Sequence, residues 1–237
     1  MILAAICVSA GLLYKQLARA GYSKSRLRAY FFLMLIMVLP LGLVSSRAAN
    51  MFYHPPHMWS ASFFWAQFVT ASHQTFHIAI VLPLIFFAVM ARIFRFNVIR
   101  VIDTLFLCVP FGHAIGRVGC LLVGCCWGHP VILSAFGRTC TFHNPVPLYS
   151  IILNLLLFFL LRRQYDRIYF TDDGSSDRGM IVSGYLMGYG VIRFVLETIR
   201  NEKIVAMHMT LAQWSMGVFF IIGLMMMIFI HIKKMAS

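Results

Sequence analysis

The chain has 237 residues, of which 61% are hydrophobic and 11% charged, and its formal net charge is +13. Apolar runs near the ~20 residues needed to cross a bilayer recur along it, which excludes an ordinary soluble globule. No basic run is interleaved with aromatics in the way single-strand binders need, so no nucleic-acid partner is expected.

Seven spans are expected, at residues 2–18, 28–46, 76–94, 99–116, 147–161, 179–196 and 209–232. The fold class is therefore all-α, a polytopic membrane helix bundle of about seven transmembrane helices. No Pro/Gly/Ser-rich linker separates two hydrophobic blocks, so residues 1–237 read as a single transmembrane domain. The first apolar run is preceded by no positive charge and followed by Lys15, Arg19, Lys24, Arg26 and Arg28. That polarity is the reverse of a signal peptide's and puts the N-terminus outside and the C-terminus in the cytoplasm. With this orientation 14 of the 20 Lys+Arg fall in cytoplasmic segments, so the net charge reads as a topogenic bias facing anionic lipid.

Two longer outer stretches follow from this topology. The first, 47–75, holds YHPPHMW and WAQF, and its Trp59, Phe63, Phe64, Trp65 and Phe68 suit a segment lying in the membrane interface. The second, 127–147, shows no clear periodicity, and Pro145 and Pro147 mark the entry to the fifth span. The cytoplasmic TDDGSSD at 171–177 reads as a solvated turn.

Ionisable side chains at membrane depth are costly and point to function. Arg47, Arg117 and Arg193 lie in or at the ends of apolar spans. In the sixth span, GMIVSGYLMGYGVIRFVLETIRNE, a 3.6-residue turn places Tyr185, Tyr189, Arg193, Glu197 and Arg200 within an arc of about 120°. Such a face looks into the bundle or a wet cavity, and Gly184, Gly188 and Gly190 admit a neighbouring helix or a ligand close to the backbone. Arg193 and Glu197, at i and i+4, are spaced to neutralise one another, which leaves Arg200 over. If the fourth helix continues through GRVGCLLVGCCWG, His113, Arg117, Cys120 and Gly124 recur at helical spacing, with Gly112, Gly116 and Gly119 keeping that surface thin. Converging guanidinium groups in a membrane cavity call for an anion, and the abundant anion in a bilayer is lipid phosphate. His77, at the start of the third span, reads equally as a general base or as an interfacial histidine. Cys120, Cys125 and Cys126 match no common metal-ligand spacing; a metal site with Cys140, His129 or His143, a redox dithiol and plain packing stand as alternatives, and no metal or cofactor is assigned.

In this order the residues resemble the bacterial prolipoprotein diacylglyceryl transferases, from SSR at 45–47 to TLAQWS near the last span. That family carries a histidine followed by two glycines, an aspartate opening a span, G-R-x-G-N with a G-E shortly after, H-P-x-x-L-Y, and Y-G-x-x-R-x-x-x-E-x-x-R. His77, Asp103, Gly116-Arg117-Val118-Gly119, Pro145 with Leu148-Tyr149, Tyr189-Gly190, Arg193, Glu197 and Arg200 occupy those places. Ile78 and Ala79 stand in place of the two glycines, Cys120 in place of the asparagine, and Cys125 in place of the glutamate. Asn144 and Ser150 also depart from the pattern, so the chain is similar to a cysteine-bearing GRxGCxxxGCC branch.

The resemblance implies a transferase moving a diacylglyceryl or related glycerolipid group from phosphatidylglycerol, or another anionic phospholipid, to an acceptor, in the orthodox family the lipobox cysteine of a prolipoprotein. It implies His77, Arg117, Arg193, Tyr189 and Glu197 as catalytic residues, and Arg47, Gly116, Gly119, Cys120, Cys125, Tyr149 and Arg200 around the substrate, with no cofactor. The location implied is the bacterial cytoplasmic membrane, with the site towards its outer face. The alternatives are a phospholipid binding or transport protein that has lost the chemistry, and a thiol redox or metal membrane protein.

Overall fold

The computed structural model describes residues 2–51, 60, 62, 65, 81–135, 138–170, 177–200 and 209–235. Among them are seven helices: α1 (Ile2–Arg19), α2 (Lys24–Met51), α3 (Val81–Ile93), α4 (Val98–Val123), α5 (Val146–Phe170), α6 (Met180–Ile199) and α7 (Leu211–Met235). Each expected span overlaps one of them, the third in its described part, Val81–Ile93, since residues 76–80 lie outside the described residues. Five stretches, Lys24–Ser45, Val98–Val123, Val146–Phe170, Met180–Ile199 and Ala212–Met235, are long and apolar enough to cross a membrane. The protein is an all-α polytopic membrane protein.

Apart from α3, the helices run past the expected C-terminal ends of their apolar runs. The 25 residues of α5 extend about 37 Å against a hydrocarbon core of about 30 Å, so its last turns carry Arg162, Arg163 and Arg167 beyond the oily stretch. Likewise α4 passes the expected end near residue 116 and continues to Val123. Two strands, β1 (Pro130–Ala135) and β2 (Arg138–His143), pair antiparallel from Pro130↔His143 to Ala135↔Arg138. This hairpin occupies the stretch that lacked periodicity in the sequence. Its strands are too short and too mixed in composition to announce themselves beside seven helices.

Leu17–Val101 make one compact unit, and Met1–Gln16 with Ile102–Ser237 make another. In the first, Tyr30 is fully buried and donates its hydroxyl to Phe87 O at 3.2 Å. Its ring sits edge-on to Phe87, Phe94 and Phe96. The α3–α4 turn is closed by Phe96 N–H to Ala91 O and Arg95 N–H to Arg92 O, with Arg95 left-handed at φ 58°. That pattern is a Schellman stop, and Phe96 supplies its apolar contact. Asn97 then caps α4, its Oδ1 accepting from Arg100 N–H at 3.1 Å.

In the second unit α6 is the central element, packed against α5 and α7. Its glycines make this possible: a Cβ on Gly188 would lie 2.6 Å from Leu157 Cδ1, and one on Gly190 would lie 3.1 Å from Met216 O. From α7, Gly223 lets Ser183 reach across and donate to Gly223 O at 2.8 Å. The N-terminus of α6 is capped from another helix. Gly179 offers no side chain to its own helix, and the fully buried Asp103 of α4 accepts from Gly179 N–H at 2.8 Å, Val182 N–H at 3.2 Å and the Tyr169 hydroxyl. A carboxylate at a helix N-terminus satisfies orphan amides and complements the helix dipole. Asp103 is thus a structural residue that sets α6 in place.

Candidate anion site

The buried face of α6 carries the charge. Arg193 Nη2 lies 3.0 Å from Glu197 Oε2, and Arg200 Nη1 approaches the same oxygen at 3.7 Å. Glu197 is 4% exposed, so the pair is not a solvated surface bridge. The other carboxylate oxygen, Oε1, accepts from Thr210 Oγ1 at 3.3 Å. Thr210 is itself held by α7: its N–H donates to Gln213 Oε1 at 2.9 Å, and its Oγ1 accepts from Gln213 N–H at 3.2 Å. These reciprocal bonds form a capping box, so the start of α7 fixes Glu197, and Glu197 fixes two guanidinium groups.

One turn above, Tyr185 and Tyr189 stack with centroids 5.4 Å apart and planes within 8°. The His113 ring of α4 lies 5.0 Å from that of Tyr189. Arg117, one turn beyond His113, interacts electrostatically with both Tyr189 and Arg193. The continuation of α4 past Gly116 therefore brings Arg117 to the α6 face, and a Cβ on Gly116 would meet nothing within 4 Å. Two guanidinium groups thus share one carboxylate, with a third, that of Arg117, within electrostatic reach of Arg193.

The remaining expected residues divide as follows. Gly119 is buried on α4. Tyr149 lies half-buried on the first turn of α5 and makes no side-chain hydrogen bond among the described residues. Arg47 lies in α2, its side chain outside the described set, and His77 is outside the described residues altogether. Thr210 and Gln213 were missed in the sequence, although the T-x-x-Q of TLAQWS is itself a capping-box signature.

Beyond Arg117 the helix stops at three cysteines. Gly124, at φ 72°, donates to Leu121 O at 3.3 Å and Cys125 N–H donates to Cys120 O at 3.0 Å, a second Schellman stop. The Sγ atoms of Cys120, Cys125 and Cys126 lie within 4.8 Å of one another. Partial loss of water around the sulfur, then its Cys126 and Cys120 neighbours, push the Cys125 thiol up to about 11. The chain is then tied down at Gly128, whose N–H donates to Asn144 O at 2.9 Å, while His129 N–H donates to Ile199 O at 2.9 Å at the end of α6. A Cβ on Gly128 would lie 2.5 Å from Ile199 O and 2.9 Å from Val146 Cγ2. Gly128→Ala is expected to cost roughly 1–3 kcal/mol by overpacking, read as a lower denaturation midpoint of the purified protein in mixed micelles.

The fold and this cluster define a class: a multi-pass membrane protein with half-buried arginines set around a buried carboxylate. The family model described as prolipoprotein diacylglyceryl transferase matches residues 1–229, and the chain belongs to that family. It is 31% identical over 127 residues to the phosphatidylglycerol–prolipoprotein diacylglyceryl transferase of Verminephrobacter eiseniae, covering 49% of this chain and 44% of that protein. The Clostridium tetani protein of the same name is 32% identical over 117 residues, 46% of this chain and 44% of its own length. That of Campylobacter curvus is 26% identical over 165 residues, 68% of this chain and 57% of its own. The chain spans about half the length of the curated relatives it matches.

Proposed function

We propose that this chain transfers a diacylglyceryl group from phosphatidylglycerol to an acceptor at the outer face of the bacterial cytoplasmic membrane. The observation that supports it best is the shared carboxylate: Glu197 holds Arg193 and Arg200 on the buried face to which Arg117 is also brought. The cluster's excess of positive charge in a low-dielectric setting needs an anion to balance it. A lipid phosphate supplies that charge and presents oxygens that guanidinium groups grip as forks.

In this reading Arg117 and Arg193 hold the phosphate, and Glu197 and Tyr189 keep the arginines in position. As the carbon–oxygen bond to phosphate breaks, the electron pair passes to the glycerol-phosphate leaving group. The fixed cations stabilise that growing charge more than they stabilise the bound lipid. His77 takes the proton of the acceptor nucleophile as it bonds to the released glycerol carbon. For a prolipoprotein cysteine the product is a thioether.

A second reading, a phospholipid binding or transport protein, is supported by Ile78 and Ala79 after the histidine and by Cys125 where the family has an acid. The two separate in phosphatidylglycerol liposomes with a lipobox peptide, followed by intact mass. Arg117→Ala is expected to abolish lipid binding and transfer together, and His77→Ala to abolish transfer by at least about 100-fold with binding kept. A peptide that never gains mass while lipid binding persists would leave the binder reading.

A further inference from the structure

We propose that Cys120, Cys125 and Cys126 form a binding site for a thiophilic d10 cation, copper(I) or zinc(II). The helix stop itself builds the first half. In a Schellman motif the side chain of the residue after the left-handed position packs on the residue that accepts its N–H, normally as an apolar pair. Here those two positions are Cys125 and Cys120, joined by the N–H to O bond of 3.0 Å.

The third sulfur comes from an uncommon backbone. Cys126 is left-handed at φ 64°, and only it and Arg95 among the described non-glycine residues have a positive φ. Ordinary residues avoid that region and are found there where the surroundings impose it. In Cys126 it turns the thiol back beside the other two. The turn is held downstream by Gly128 on Asn144 and by His129 on Ile199, so both ends of the cluster are fixed.

The spacing fits a metal. Sulfurs bound at about 2.3 Å to one ion stand about 3.8–4.0 Å apart, so the three, already within 4.8 Å of one another, need close by less than about 1 Å. A disulfide would use two sulfurs and leave the third over, whereas a cation uses all three. The cation displaces the thiol protons to solvent as it binds, and the thiolates so formed are soft donors that select copper(I) and zinc over magnesium or calcium. Three of them complete a copper(I) site and leave zinc one open position. Cys125 is exposed, which gives the ion a way in, and Arg117, one turn before Cys120 on the same helix face, offsets the negative charge of the thiolates. None of this rests on the transferase reading.

The full chain, purified in detergent with reductant and desalted without oxygen, is titrated with copper(I) against a chromogenic chelator and, separately, with zinc(II) chloride. The expected result is one ion per chain with sulfur-only protein ligands by X-ray absorption, and affinity at least about 100-fold lower in Cys125→Ser. Cys7→Ser, altered at an exposed cysteine outside the cluster, should bind as the parent does. Blocking the parent's thiols with N-ethylmaleimide before titration gives a control that does not depend on a variant folding, and should abolish binding. Sub-stoichiometric binding, binding unchanged by Cys125→Ser or by the block, or a chain lighter by two hydrogens that takes up no metal would each overturn the proposal. The last would make the cluster a disulfide.

Discussion

On the proposed transferase reading, replacing Arg193 by alanine is expected to lower kcat/KM for diacylglyceryl transfer by about 10³-fold, about 4 kcal/mol of transition-state stabilisation. Arg193 lies closest to the shared carboxylate, 3.0 Å from Glu197 Oε2, and its guanidinium is fixed before any lipid arrives. A preorganised cation in a water-poor site costs no reorganisation as charge develops, so its loss falls mainly on kcat. Arg193→Lys should recover no more than about tenfold, because an ammonium cannot fork across a phosphate and Glu197 together.

The same geometry says how Arg193 and Glu197 couple. Glu197→Gln removes the charge that both Arg193 and Arg200 use, so its effect should be strongly non-additive with Arg193→Ala. Initial rates of mass gain by the peptide, with lipid concentration varied, separate kcat from KM. An Arg193→Ala rate within about threefold of the parent would exclude an electrostatic role for this residue. A loss of activity matched by an equal loss of folded protein would make Arg193 structural instead.

Much of this site was legible because α6 obeys a single periodicity. Tyr185, Tyr189, Arg193, Glu197 and Arg200 share an arc, and no lipid-facing surface would keep them. The extension of α4 to Arg117 was legible as a condition, and the helix indeed runs on to Val123. The shared carboxylate was not. Spacing alone pairs Arg193 with Glu197 and leaves Arg200 over, whereas the extended backbone of Arg200 at the helix end swings its side chain back to the same oxygen. The β-hairpin stayed hidden because long-range pairing of two six-residue strands leaves little local pattern. The thiol cluster was hidden for another reason: C-x4-C-C is no metal motif by spacing, and only the left-handed turns at Gly124 and Cys126 bring the sulfurs together.

Asp103→Ala should destabilise the protein by about 3 kcal/mol, the largest effect on stability expected of a single polar substitution in this unit. The side chain is fully buried and takes the Tyr169 hydroxyl and the amides of Gly179 and Val182. Alanine would strand all three donors where water does not replace the bond. Asn keeps one acceptor oxygen but turns an N–H₂ towards donors, so Asp103→Asn should recover only part of the loss. Denaturation in mixed micelles reads the stability, and a cycle with Tyr169→Phe isolates the hydroxyl's share. The consequence reaches the site through α6. Without that cap the start of α6 frays and fewer molecules hold the helix packed, but Arg193 and Glu197, about four and five turns on, keep their geometry in those that do. Transfer should therefore fall in step with the folded fraction in Asp103→Ala, with KM for the lipid unchanged in the molecules that remain folded. If KM rose instead while stability held, Asp103 would be acting on the substrate, and its place as a helix cap would be wrong.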